Sequence, residues 1–194
     1  MPLVDLDRVK NILLNPRQEW AVIDAEPTVP VELYKEYIMP LAAIGPVAGF
    51  IGGTVFGYRI PMMGTVRAPI GQAFASMVVT YLLTLGGVYV LALIIDALAP
   101  NFHGTKNQLQ ALKLAAYSST ASWVSGIFSL IPGLRWLGIL GLYSLYLLYL
   151  GLPVLMKAPE DRALAYTILV IFAALVLFLV IGLVAGSFMA GPMM

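Results

Sequence analysis

ALAYTILVIFAALVLFLVIGLVAGSF, residues 163–188, contains no Asp, Glu, Lys or Arg, and none follows it up to Met194. A helix of about 20 apolar residues rising about 1.5 Å each crosses the roughly 30 Å hydrocarbon core of a bilayer, so this run is long enough to span one. Four more charge-free windows precede it: Tyr37 to Tyr58, Ala68 to Ile95, Leu114 to Leu134 and Trp136 to Met156. Of the 194 residues 60% are hydrophobic and 11% charged, against roughly 25% charged in a soluble domain. The pattern predicts an all-α polytopic membrane protein, a bundle of five transmembrane helices at about 38–57, 71–93, 114–131, 136–156 and 163–188. A soluble enzyme, a secreted disulfide scaffold and a singly anchored domain are excluded together.

The domain organisation follows from where the charges remain. Residues 1–36 form a polar N-terminal segment and residues 37–194 the transmembrane domain. In the segment, Leu6, Val9, Ile12 and Leu13 fall on one side of a short helix, with Asp7, Arg8, Lys10 and Asn11 on the other. Asn15-Pro16 ends it, and Asn15 is placed to cap a second helix carrying Trp20, Val22 and Ile23. Glu26-Pro27 breaks that one, and a third piece from Pro30 through Tyr34 and Tyr37 leads into the first span. Such short amphipathic helices are expected to lie on the membrane face or to cap the bundle. Met1 to Lys10 carries Asp5 and Asp7 and lacks the basic leader of a cleavable signal, so the N-terminus is expected to be retained.

Small residues punctuate the spans. Gly45, Gly49, Gly53 and Gly57 repeat every four residues in the first, Ser118, Ser122 and Gly126 in the third, and Gly182 and Gly186 in the fifth. Lipid supplies no hydrophobic drive to helix association, so close approach over small side chains holds such a bundle together. These positions are therefore the expected helix-packing residues. A polar path is the alternative reading. It would use Asp96, Tyr117, Ser118, Thr120 and Ser122 with the tyrosine row Tyr143, Tyr146 and Tyr149. Asp96, near the end of the second span, is expected either to sit at the interface as a capping group or to form a buried proton or cation site.

Basic residues give the orientation. Arg8, Lys10, Arg17, Lys35, Lys106, Lys113, Lys157 and Arg162 fall on one side, and Arg59, Arg67 and Arg135 on the other. The positive-inside rule places the N-terminus in the cytoplasm and the C-terminus outside.

Catalytic chemistry lacks reagents. There is one histidine and no cysteine, so a two-histidine metal site, a thiolate site and a disulfide cannot be built within one chain. No paired carboxylates lie in the windows, Gly49-Phe50-Ile51-Gly52-Gly53 lacks the flanks of a phosphate loop, and a net charge of +1 with interleaved signs gives no nucleic-acid face. No enzyme activity, metal or cofactor is expected.

Several motifs in order resemble one family. Asn15-Pro16 to Trp20, Tyr37-Ile38-Met39-Pro40-Leu41 with Ala42-Ala43-Ile44, Ala116-Tyr117-Ser118-Ser119-Thr120-Ala121, Pro132, and Tyr146-Leu147-Leu148-Tyr149-Leu150-Gly151-Leu152-Pro153 together resemble the Yip family of Ypt/Rab-interacting membrane proteins. The nearest likeness is to its compact bacterial inner-membrane branch. The resemblance implies five helices with a cytoplasmic N-terminal segment in the inner membrane. Family members often have Pro where this chain has Ala121, so a kink there is not carried over. The Asp-Leu-Tyr-Gly-Pro motif of the GTPase-binding eukaryotic members is absent, so GTPase binding is not supported. The bacterial branch supplies no settled activity, and its transporter label names no mechanism.

The expected function is a non-enzymatic membrane organiser or partner-binding adaptor, with the bilayer and a second copy or another membrane protein as partners. The competing expectation is a small-solute or ion permease using the polar path.

Overall fold

The computed structural model describes the backbone of residues 6–60 and 64–189, and the side chains of these except 58–60, 160 and 185–189. The architecture is all-α apart from one small hairpin. Helices α1 (Leu6–Leu14) and α2 (Pro16–Ala25) form the N-terminal segment. Pro16 stands in the first turn of α2, as its fixed φ favours. Asn15 takes the N-cap position, but its side chain makes no capping hydrogen bond.

The first apolar window is one rod over Pro30–Phe56. It combines α3 (Pro30–Leu33), α4 (Met39–Ala42) and α5 (Ile44–Ile51) with wider π-helical turns at Tyr34–Ile38 and Gly52–Phe56. Strands β1 (Tyr58–Ile60) and β2 (Gly64–Val66) then pair antiparallel, Tyr58 opposite Val66. Gly57 makes the turn into them with φ 73°, a region that favours glycine, and a Cβ there would stand 2.7 Å from the Val66 carbonyl oxygen. Two long helices follow later in the chain, α6 (Ile70–Leu98) and α10 (Glu160–Met189). They approach closely where Gly87 leaves room for Ile181, whose Cδ1 would be 3.0 Å from an added Cβ. At the end of α6, the Tyr166 hydroxyl donates to the Ile95 carbonyl, and the rings of Phe102 and Tyr166 stack at 4.8 Å.

Among the described residues, four helices are long and apolar enough to cross a membrane: Pro30–Phe56, Ile70–Phe102, Pro132–Met156 and Asp161–Val184. The expected third span, 114–131, is not a single rod. It consists of α7 (Gln108–Ser118), α8 (Thr120–Ser125) and a 3-10 stretch over Gly126–Leu130, with a turn at Ser119. The break arises without a proline. Ser118 and Ser119 hydroxyls both donate to the Ala115 carbonyl, at 3.3 and 2.7 Å, and Thr120 donates to Tyr117 at 2.7 Å. The Ser119 amide is left to reach Ala116, one residue short of the α-helical register. Hydroxyls bonding back to the preceding turn compete with the helix ladder and bend it. The fourth window likewise opens as a 3-10 helix (Pro132–Leu142) before α9 (Tyr143–Met156).

A single buried cluster joins the two ends of the chain's organisation. Ile12, Trp20 and Ile23 from the N-terminal segment are fully buried with Leu114, Leu147, Leu152 and Met156. Trp20 lies over Gly151, where an added Cβ would be 2.6 Å from its Cε2 and 2.7 Å from Leu114 Cδ1. The segment therefore docks into the bundle.

Candidate functional site: two cavities within the bundle

Contacts along α7 and α8 fix how the middle of the bundle is built. Tyr37 and Thr120 share a hydrogen bond of 2.7 Å, a Cβ on Gly126 would be 2.8 Å from Gly45 Cα, and one on Gly52 would be 2.2 Å from the Ser129 carbonyl oxygen. The first rod and α7–α8 thus run side by side in the same direction. On the other flank, Leu114 is near Gly151 while Ser122 bonds Gly141 and Ser144, so the fourth window runs opposite to α7–α8.

Between these elements and α10 lies a cavity of about 300 Å³, lined by Ser118, Ser119, Ser122, Ser125 and Ser144 on one wall. Leu91, Leu142, Leu145, Leu148, Leu175 and Phe178 line the rest. A second cavity of about 360 Å³ lies toward α5 and α6, lined by Ser76, Thr80, Thr84, Ser129 and Arg135 with Phe50, Met77, Trp123 and Phe178. Ser122 and Phe178 line both, so the two abut. Mostly apolar walls with a few converging polar groups, at this volume, are the ordinary make-up of a small-molecule site.

Hydrogen bonding sets the character of the first wall. The Ser122 hydroxyl pairs with Gly141 O at 3.1 Å and Ser144 Oγ at 2.9 Å, while its amide donates to Ser144 Oγ at 3.0 Å. Ser125 donates to the Ser122 carbonyl at 3.0 Å. Gly141 is required here, since a Cβ would come within 2.8 Å of Ser125 Oγ.

The residues of the expected polar path lie in separate places. Ser118 and Ser122 line the first cavity. Thr120 and Tyr117 face Tyr37, whose ring is 4.6 Å from that of Tyr117. Asp96 lines neither cavity. It is buried in the last turn of α6, with Lys106 at 3.9 Å from one carboxylate oxygen and no hydrogen-bond partner for the other. Tyr143, Tyr146 and Tyr149 are all partly exposed, and the Tyr143 hydroxyl donates to the Leu13 carbonyl of α1. Of the small residues, Gly45 and Gly126 meet each other. An added Cβ at Gly49 or Gly182 meets nothing within 4 Å. Gly53 is buried and its carbonyl accepts from the Ala68 amide. The surroundings of Gly186 lie outside the described residues.

Ser76, Thr80, Thr84, Ser144, Arg135 and Phe178 were not among the sequence candidates. One signal for them is present in the sequence: Ser76, Thr80 and Thr84 recur every four residues on one face of the second window. Nothing comparable marks Phe178 or Ser144.

Charge concentrates at the other end of α7 and α9. Arg8 pairs with Glu19 and Glu26, Lys157 with Asp24, and the buried Lys113 ammonium donates to the Ile23 and Glu26 carbonyls at 2.8 and 2.6 Å.

The chain matches the Yip1 domain family model over residues 10–181. It is 27% identical over 167 residues to inner membrane protein YohC of Escherichia coli strain K12, covering 84% of this chain and 85% of that one. The same protein from Escherichia coli O6:H1 strain CFT073 gives the same figures. No solved structure matches.

Proposed function

We propose, from the premise that the chain belongs to the Yip1 domain family, that it is a non-enzymatic carrier that binds a small polar or amphipathic molecule in the bundle and passes it along the two cavities. The observation that carries this reading is their adjacency: two spaces of about 300 and 360 Å³, each with hydroxyls in its lining, share Ser122 and Phe178 as wall residues. Asp96 lies outside both, which argues for passage not coupled to protons through that acid.

In this reading the broken rod of α7, α8 and Gly126–Leu130 is a fifth crossing. Its contacts with the first rod, from Tyr37–Thr120 to Gly52–Ser129, support that, since the two then traverse the same depth. An odd number of crossings agrees with a cytoplasmic N-terminus and an external C-terminus, the orientation that the basic residues favour. The inner membrane of a bacterium is the proposed location, as the name of the Escherichia coli relative supports.

Proteoliposomes holding the full chain test the carrier function, with glycerol, glycine and a headgroup-labelled phospholipid as probes. At least one probe is expected to cross faster than in protein-free liposomes, and Ser122→Phe, which fills the shared wall, to return that rate to background. Three probes at the protein-free rate would overturn the proposal.

A second reading, as organiser or adaptor, is favoured by Gly182. It is exposed on α10 with open space above it, a flat spot for a second copy. Disulfide trapping of Gly182→Cys across two copies in native membranes would support it, and a monomer throughout would count against it.

A further inference from the structure

The outer face of α10 shows how thick a hydrocarbon layer it is built for. Asp161 and Arg162 are exposed, and from Leu164 to Val184 every exposed residue is apolar, Leu164, Ile168, Phe172, Leu175, Leu179 and Leu183 among them. At about 1.5 Å per residue that face is about 30 Å tall, the full core of a bilayer. Its edge beside the 157–159 loop is therefore at Leu164.

The opposite flank is built for a thinner layer. There α9 ends at the same loop, and its Leu145 and Leu148 line the first cavity together with Ala174 and Leu175 of α10. Leu145 precedes Met156 by as many residues as Leu175 follows Leu164, so the two helices keep level from the loop inward. The N-terminal segment follows α9 along this depth: Asp24 pairs with Lys157, Trp20 lies over Gly151, and the Leu13 carbonyl accepts from the Tyr143 hydroxyl. Tyr143 is about 20 Å from the loop along the helix. Yet Asn15, Arg17 and Gln18 are exposed at that level, where they share a cavity with Tyr143 and Tyr146. Beyond Tyr143 the exposed side chains turn apolar, with Leu142, Leu140 and Ile139, until Trp136 and the exposed Arg135. At about 2.0 Å per residue of 3-10 helix, Tyr143 and Arg135 are about 16 Å apart, roughly half the height of the α10 face.

We propose that the protein thins the bilayer on this flank: headgroups and water follow the N-terminal segment inward to Tyr143, while acyl chains cover α10 out to Leu164. Lipid is assigned to α10 because the part of its face nearest the loop continues without a polar break into the part that crosses the core. A rigid tilt in a flat bilayer does not reconcile the two flanks. Neighbouring helices are about 8–10 Å apart, so a drop of about 20 Å from α10 across α9 to α2 is a slope of roughly 45°, steeper than the roughly 0–40° at which spanning helices lie. The tilt would also carry Arg135 to about mid-core, where a charge is costly. Bilayers do thin to meet a short apolar height. The thinning goes beyond the carrier reading and does not rest on it.

Single nitroxide labels on the full chain, which has no cysteine of its own, test this in liposomes. Collisions are measured with oxygen, which concentrates among acyl chains, and with a nickel chelate, which stays in water and is present on both sides. The sites are Tyr146→Cys, Phe172→Cys and Trp136→Cys, all exposed positions. Phe172 is nearer the loop than Tyr146 by about 3 Å, so a flat bilayer makes it the wetter of the two. The reverse is expected: chelate collisions several-fold more frequent at Tyr146 than at Phe172, and oxygen the other way round. Trp136 is expected to meet the chelate as well, whereas a tilted bundle holds it among acyl chains. A Tyr146 or Trp136 label that meets mainly oxygen overturns the proposal, and so does a Phe172 label that meets the chelate, since α10 then projects into water. A Phe172 label reached by neither is covered by protein, with spin–spin broadening if the cover is a second copy, and overturns it equally. If Tyr146→Cys does not fold, Gln18→Cys, exposed at the same level, takes its place.

Discussion

The clasp of α1 and α2 on the bundle and the pair of cavities between its helices both turn on small residues, used in opposite ways. At the clasp, Gly151 is a notch filled by the largest side chain available, Trp20, and Arg8 pairs nearby with Glu19 and Glu26 and Lys157 with Asp24. In the cavities, Gly49 and Gly138 leave space that nothing enters within 4 Å. Small residues thus say that room exists at a position; whether a neighbour takes it depends on what the rest of the chain brings there. The clasp buries apolar surface that would otherwise face water, so it is held by the hydrophobic effect. The cavities lie among helices that lipid does not drive together, and shape alone decides how closely they fit.

Three substitutions probe that contrast, the largest effect first. Trp20→Ala empties the notch and is expected to lower stability by about 3–5 kcal/mol, the usual loss for a fully buried tryptophan. A melt in mild detergent reads this, and a midpoint unchanged from the parent chain would show that the segment does not dock as described. Gly126→Ala drives a methyl to 2.8 Å from Gly45 Cα, backbone that cannot rotate away. Overpacking of this kind costs roughly 1–3 kcal/mol; a loss below that range would mean that the first rod and α8 separate freely. Gly49→Ala adds the same methyl where nothing lies within 4 Å. It is expected to be neutral or to stabilise by up to about 1 kcal/mol through helix propensity, and a marked loss would show that the open space is needed for the fold. Measured side by side, the last two separate a filled glycine position from an empty one at equal chemistry.

Much of the secondary structure can be read from the chain itself, because in lipid each spanning segment must satisfy its own backbone. Pro16, Pro30 and Asn15-Pro16 mark helix starts that the structure contains. The expected span 114–131 shows the limit. Its hydroxyl count is plain in the sequence, but whether Ser119 and Thr120 bond forward, across or back to Ala115 and Tyr117 depends on neighbours such as Tyr37. Ala121 in place of proline gave no reason to expect a bend, yet the turn at Ser119 supplies one. The polar residues illustrate the same limit. Asp96 and the serines share a polar character, and the fold sends one to Lys106 and the others to a cavity wall.

By itself the sequence determined that this chain is helical and built for a membrane, and where four of its apolar helices lie, since charge-free length is a local property priced residue by residue against water. Only the tertiary structure decided which glycine meets Trp20 and which meets empty space, and that Ser122 and Phe178 line two neighbouring cavities. Those outcomes depend on atoms far apart in the chain, and no local pattern carries the distance between them.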